Sequence, residues 1–428
     1  MKRIVLFLIA AVVAIPALLL AVQLFHDPGA DQVGVPAANP AEQIERGRYL
    51  SLAGNCMACH TIRSGAAYAG GRLISTPFGA MYSPNITPDM ATGIGSWSAN
   101  DFWRAMHNGK SKDGRFLYPT FPYPNYTKVT RSDADAMYAF LRTVTPVAQA
   151  SREHALRFPY NQRLLLAGWR ALYFEPATYR TDAKQSIDWN RGAYLVQGLG
   201  HCSACHTSRN ALGATESDAE LGGGLIPMLN WYAPSLTSDA EAGLGNWELK
   251  HINDLLKTGV SQRSAVFGPM AEVVGASLQH LSDADINAMS VYLKALPQTT
   301  GAVAAEPVYT AGQDSDDARK LGAALYEQHC VECHRADGRG LPPGYPPLAG
   351  NHAISTASAI NPIRMVLNGG FPPSTGGNSR PYGMPPFGPQ LSDVEVAAVV
   401  SHLRRSWGNT AGSVSPVEVA RYRTVPID

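Results

Sequence analysis

Charged side chains are scarce in this chain: Asp, Glu, Lys and Arg make up 16% of 428 residues, and 35 basic against 34 acidic groups leave a net charge of +1. That balance gives neither the basic footprint of a nucleic-acid binder nor a polybasic patch for a membrane surface. No phosphate-binding loop and no nucleophile, base and acid triad can be read along it, so no acid–base or nucleophilic chemistry is expected of the chain by itself. Cysteine is scarcer still. There are six, and all six fall in three copies of one pentad, Cys-x-x-Cys-His, at Cys56–His60, Cys202–His206 and Cys330–His334.

The pentad meets a specific requirement: two thiols one helical turn apart add across the vinyl groups of haem, and the next residue offers an imidazole to the iron. A zinc pair or a redox dithiol is the competing explanation of any single copy. It fails on the count, because no cysteine is left over and each pair has its His in the same place. Three haem c groups are therefore expected. Cys56, Cys59, Cys202, Cys205, Cys330 and Cys333 would be their covalent anchors, and His60, His206 and His334 the axial ligands. His201 and His329, just before two of the pentads, read as solvated surface residues.

With 45% apolar residues the chain can bury several cores, and three haem units of about 100 residues each suit its length. Its 40 Gly and 31 Pro predict many loops. The expected fold is all-α, with three cytochrome c-like domains in tandem behind one N-terminal transmembrane helix. Lys2 and Arg3 precede an apolar run from Ile4 to about Phe25, long enough to span a bilayer. A cleaved signal is the alternative for residues 1–25, but no good cleavage site closes the run. Positive charge at the extreme N-terminus keeps that end in the cytoplasm and puts the rest on the periplasmic side of a bacterial inner membrane. Covalent haem attachment belongs to that compartment too.

An internal repeat organises the remainder. Tyr82-Ser83-Pro84-Asn85-Ile86-Thr87 returns as Tyr232-Ala233-Pro234-Ser235-Leu236-Thr237; Gly93, Trp97 and Gly109 return as Gly243, Trp247 and Gly259, all at an offset of 150. The third copy keeps Tyr345-Pro346-Pro347. Expected boundaries are 41–149, 189–297 and 317–409 for the three domains, with a connector at 150–188, a linker at 298–316 and a tail without helical period at 410–428. An iron-bound His needs its other ring nitrogen pinned to an acceptor. The carbonyls of Pro84, Pro234 and Pro347 are the expected acceptors, loop shaping being the other explanation for these prolines. Capped helices should close the domains, starting at Ser132, Ser282 and Ser392, each followed three residues later by Asp or Glu. The apolar stretch 158–174 reads as a connector helix, or as a surface meeting the membrane or a partner.

The sixth iron ligand decides the chemistry. An electron carrier fills both axial positions, commonly with His and Met. Met270 in Gly268-Pro269-Met270 lies 12 residues before Ser282, and Met384 in Gly383-Met384-Pro385 lies 8 before Ser392. Both are expected ligands. The matching position in the first domain is Phe121, 11 residues before Ser132, and phenylalanine cannot bind iron. Met106 or His107 would complete that site, or it is five-coordinate, which would open it to peroxide turnover or to gas binding.

Residues 41–409 resemble the three-haem cytochrome c subunits of membrane-bound periplasmic dehydrogenases of acetic acid bacteria. The resemblance rests on the three pentads, Tyr82 to Asp89, Gly93-Ile94-Gly95-Ser96-Trp97, Leu117-Tyr118-Pro119 and Tyr345 to Asn351. Phe121-Pro122-Tyr123, the segment 158–174 and Asp188-Trp189-Asn190-Arg191-Gly192-Ala193-Tyr194-Leu195 look most like the cytochrome subunit of aldehyde dehydrogenases, with that of alcohol dehydrogenases next. The resemblance implies an electron-transfer subunit, not an enzyme by itself, that passes electrons from a molybdopterin and iron-sulfur catalytic subunit to ubiquinone. A quinoprotein alcohol dehydrogenase or flavin sugar dehydrogenase is the alternative partner.

Overall fold

The computed structural model describes residues 38–240, 242–298 and 315–425, together with 20–29 and scattered positions before residue 38. Most of the expected anchor at 1–25 and nearly all of the linker expected at 298–316 lie outside the described residues. Among the described residues no helix is long and apolar enough to cross a membrane. The chain divides into two compact units: residues 1–183 with 194–201, and residues 184–193 with 202–428. The first pentad lies in the first unit, and the other two lie in the second.

One packing device recurs. In the first unit a leading helix, Pro40–Ala53, crosses a closing helix, Arg131–Leu141, at Gly47. A Cβ at Gly47 would sit 1.8 Å from the carbonyl oxygen of Ala136, so only glycine lets the two backbones meet. In the second unit the helix Ile187–Tyr194 meets Asp283–Lys294 at Gly192, and Asp316–His329 meets Asp393–Arg405 at Gly322. The corresponding distances are 1.9 Å to Ala288 O and 2.3 Å to Ala398 O. Arginines lock two of the crossings. Arg46 Nε donates to Asp133 at 2.7 Å, and Arg191 grips both oxygens of Asp285 at 2.7 Å.

Ser282 Oγ accepts from Asp285 N at 3.2 Å, and Ser392 with Glu395 forms a reciprocal capping box. In the first unit the cap is Thr130 and not Ser132: Thr130 Oγ1 accepts from Asp133 N at 3.3 Å. Thr130-Arg131-Ser132-Asp133 offers the same spacing two residues earlier. Asp133 is then drawn inward, where Tyr194 Oη donates to it at 2.6 Å.

Among the described residues, two small antiparallel sheets qualify the all-α expectation. Leu73–Thr76 pairs with Gly79–Tyr82, which pairs with Ala155–Leu156; Gly224–Ile226 pairs with Trp231–Ala233. These strands are too short to stand out by alternation. Residues expected to be mere connector thus complete the first unit: beside that third strand, Tyr82 N donates to His154 Nδ1 at 3.3 Å. The helix Leu166–Tyr173 follows and buries Arg170, whose guanidinium lies 4.8 to 5.5 Å from the rings of Phe174, Phe116 and Tyr123. The tail is not irregular either. Pro416–Arg423 is a helix capped by Ser415, and its Val419 is fully buried in a core with Val396, Val400 and Leu403. One buried residue in eight leaves no periodic signal in the sequence.

Candidate functional site

Each pentad ends in a single helical turn: Cys56–His60, Ser203–His206 and Val331–His334. None of the six cysteines forms a disulfide. Burial, with the neighbouring thiol second, pushes Cys56 and Cys202 up to about 12 and Cys330 up to about 11. Redox dithiols and zinc pairs need the opposite, a stabilised thiolate. Among the described residues no cluster of three or more His, Cys, Asp or Glu could hold a metal ion.

The three histidines are held alike. His60 Nδ1 lies 2.8 Å from Pro84 O, His206 Nδ1 2.7 Å from Pro234 O, and His334 Nδ1 3.0 Å from Pro346 O. A carbonyl can only accept, so Nδ1 carries the hydrogen and Nε2 keeps its lone pair. Burial holds each imidazole below its ordinary pKa against the opposing pull of the proline carbonyl. A neutral, oriented ring with Nε2 basic is what an iron ligand requires. In the third site the acceptor is Pro346 and not the expected Pro347. The carbonyl of Pro347 is taken by Asn351 Nδ2 at 2.9 Å, and the shorter loop after His334 brings the earlier proline to the ring.

Three glycines that the repeat did not reveal make this possible. Gly70, Gly223 and Gly340 have positive φ and donate N–H to the carbonyls of His60, His206 and His334 at 2.7, 2.9 and 3.0 Å. A Cβ would stand 2.4 Å from Pro84 O at Gly70 and 2.7 Å from Pro346 O at Gly340. Their spacing after the histidine is 10, 17 and 6 residues, so no fixed offset exposes them. The unbridged thiol pairs, the pinned histidines and the glycine approach together fit covalently held haem.

The sixth-ligand candidates fall as follows. Met270 is the second residue of a short helix, Pro269–Ala276, reached through Gly268 seated on Trp231. Met384 packs against the same core as Cys330, and its backbone pairs with Gly370. In the first site the ring of Phe121 lies 5.2 Å from Tyr126, whose hydroxyl donates to Gly54 O at 2.8 Å. Met106 is buried, as are Leu256 and Val366 at the matching positions. His107 is buried too: it stacks on Trp103 at 4.4 Å and donates from Nδ1 to Thr127 O at 2.9 Å, while a Cβ at Gly29 would stand 3.0 Å from its Nε2. His201 is half-buried, not a fully solvated surface residue. Its left-handed turn sets the ring edge-on to Tyr126 at 5.6 Å, and burial lowers its pKa. His329 is half-buried against Phe387.

This geometry describes a carrier of covalently bound haem, and the family model for cytochrome c matches residues 44–145 and 320–407. Among relatives, the chain is 39% identical over 411 residues to the cytochrome c subunit of the quinone alcohol dehydrogenase of Gluconobacter oxydans, spanning 91% of this chain and 84% of that one. It is 40% identical over 405 residues to the gluconate 2-dehydrogenase cytochrome c subunit of Pantoea cypripedii, spanning 89% of each. It is also 36% identical over 413 residues to the fructose dehydrogenase cytochrome subunit of Gluconobacter japonicus, spanning 91% of this chain and 84% of that one. The chain belongs to the family of cytochrome c subunits of dehydrogenase complexes. It is an electron-transfer component that binds haem c, and not a catalyst by itself.

Proposed function

We propose that the chain carries electrons singly through three haem c groups, from a catalytic dehydrogenase subunit to ubiquinone, on the periplasmic face of a bacterial inner membrane. The observation that carries the count is the threefold recurrence of a pinned histidine, a proline carbonyl and a left-handed glycine beside each thiol pair. Bound haem supplies one-electron chemistry. The six cysteines anchor it, and His60, His206 and His334 orient it. Met270 and Met384 fill the second axial position in the second and third sites.

The favoured partner is a molybdopterin and iron-sulfur aldehyde dehydrogenase, supported by Phe121-Pro122-Tyr123 and the segments 158–174 and 188–195. The relatives named for alcohol, gluconate and fructose oxidation support the alternative, a quinoprotein or flavoprotein partner. Support for the membrane comes from the apolar run and from what lies next to its end. Arg170 Nε donates to Gln23 Oε1 at 3.0 Å, while Leu164, Leu165 and Leu172 beside it are 60%, 59% and 71% exposed. A segment with such an outer face, tied to the end of an apolar run, suits the bilayer interface.

The test is purification of the intact complex from detergent-solubilised membranes, with haem counting, identification of copurifying subunits, and ubiquinone reduction driven by acetaldehyde, ethanol or sugars. Aldehyde-driven reduction with a molybdopterin partner is expected. A quinoprotein or flavoprotein partner would overturn the choice of substrate and keep the relay. A lone chain turning over peroxide would overturn both.

A further inference from the structure

The apolar run of the N-terminus ends at Phe25, and the first unit takes hold of the chain just there. Residues 20–25 are helical, and Phe25 is 86% exposed. From that point the chain passes over the helix Ala99–Asn108 and the turn after it. Lys110 Nζ donates to Leu24 O at 3.0 Å and to Asp27 Oδ1, Asn108 Nδ2 donates to Pro28 O at 3.1 Å, and Trp103 Nε1 donates to Gly29 O at 3.1 Å. Arg131 extends the series to Gln32 O at 2.6 Å. Four of these five acceptors are main-chain carbonyls, so the hold depends on the path of the chain more than on its side chains.

The hold is also needed. Lys110 is 1% exposed and Arg170 is 3% exposed, and both lie against the ring of Phe116, at 5.8 and 5.1 Å. Buried cations require acceptors. The chain that follows the run supplies them: Leu24 O and Asp27 to Lys110, and Gln23 Oε1 at 3.0 Å to Arg170. As a loose tether this stretch would leave both charges short of partners in a dry place. Arg170 also sets a direction. It is the one charged residue between Leu164 and Phe174, and with Ala167 it forms the buried side of the helix Leu166–Tyr173. The outer face of Leu164, Leu165 and Leu172 therefore carries no charge, and Trp169 and Tyr173, with ring centroids 5.7 Å apart, lie on the same segment. Exposed leucines with Trp and Tyr beside them suit the headgroup layer of a bilayer.

We propose that residues 23–32 are a strap that mounts the first unit on the bilayer in one fixed pose, with Leu164, Leu165 and Leu172 seated in the lipid headgroup layer. The inference rests on the reading that the apolar run ending at Phe25 is held in the membrane. Lipid is the occupant of the leucine face because that face is tied, through Arg170 and Gln23, to the last turn of a run long enough to span a bilayer. A face fixed to that turn meets the lipid where the run enters it. For a carrier that hands electrons to an acceptor in the membrane, such a mount keeps the first site at a constant distance from the lipid.

The experiment uses the full chain with its haems attached, reconstituted in vesicles of phosphatidylethanolamine and phosphatidylglycerol. With the six native cysteines taken by haem, Leu172→Cys offers a single free thiol for a nitroxide label. An alkaline wash comes first: a chain that leaves the vesicles overturns the reading beneath the inference and the inference with it. For a chain that stays, collision of the label with oxygen, which concentrates in lipid, is expected to exceed collision with a water-soluble nickel chelate several-fold. Nickel in excess, the mark of water, or both collisions low, the mark of a cover made of protein, would overturn the inference alone. Lys110→Met, which removes the bonds to Leu24 and Asp27, is expected to lower the preference for oxygen; an unchanged preference would overturn the strap. Should that variant fail to take up haem, Gln23→Ala, which leaves both cations in place, is read by the same two outcomes.

Discussion

Replacing Gly192 by alanine places a Cβ 1.9 Å from Ala288 O, 2.5 Å from its carbonyl carbon and 2.8 Å from Tyr292 Cβ, where ordinary contact begins near 3.4 Å. The two helices must then part by about 1.5 Å, the difference between 3.4 and 1.9 Å. Arg191 and Asp285 resist, because their two 2.7 Å bonds span the same crossing. Overpacking costs about 1–3 kcal/mol, and the upper end applies because the clash is with backbone and not with a flexible side chain. The gain in helix propensity from Gly to Ala returns about 1 kcal/mol. The expected net loss is therefore about 2 kcal/mol. Gly168→Ala is the control: it lies in the helix Leu166–Tyr173 with nothing within 4 Å of the new Cβ among the described residues, and is expected to stabilise by about 0.5–1 kcal/mol. Denaturant unfolding of the full chain, followed by far-ultraviolet circular dichroism and haem absorbance, reads both. A Gly192→Ala chain as stable as wild type, or a Gly168→Ala chain equally damaged, would refute the close-crossing argument.

Met270→Ala and Met384→Ala are each expected to abolish one thioether-to-iron absorption band and lower one haem midpoint; an unchanged redox titration removes that residue as a ligand. Asn409→Ala removes bonds to Leu348 O, Leu403 O and Gly350 N at 2.8 to 3.0 Å, and should cost about 2–3 kcal/mol by denaturant unfolding. Thr130→Ala should cost about 1 kcal/mol and Ser132→Ala close to none, since only Thr130 caps its helix; equal losses would put the cap back at Ser132. Bonds from Ser392 lower the pKa of Glu395, so its contribution is present above the usual carboxylate pKa and is lost as pH falls through the lowered one. The stability difference between wild type and Glu395→Gln should accordingly vanish in acid.

The chemistry of the sites was legible because it is local. Two cysteines and a histidine within five residues need no tertiary contact to declare a haem attachment point, and the offset of 150 carried the prolines of the first two sites with it. The caps at Ser282 and Ser392 were readable for the same reason. Register failed where loop lengths differ. The short step of six residues from His334 to Gly340 brings Pro346 to the ring and leaves Pro347 to Asn351. The two sheets, the helix at Pro416–Arg423 and the Thr130 cap are stabilised by partners remote in sequence or by one buried side chain, and neither leaves a period to read.

By itself the sequence determined which residues can bind haem, because covalent attachment and axial ligation are set by side-chain chemistry and short spacing. Tertiary structure alone decided how close the paired helices come, which glycines admit the proline carbonyls, and that His352 stacks on Trp247. These are questions of distance between segments far apart along the chain, and only packing answers them.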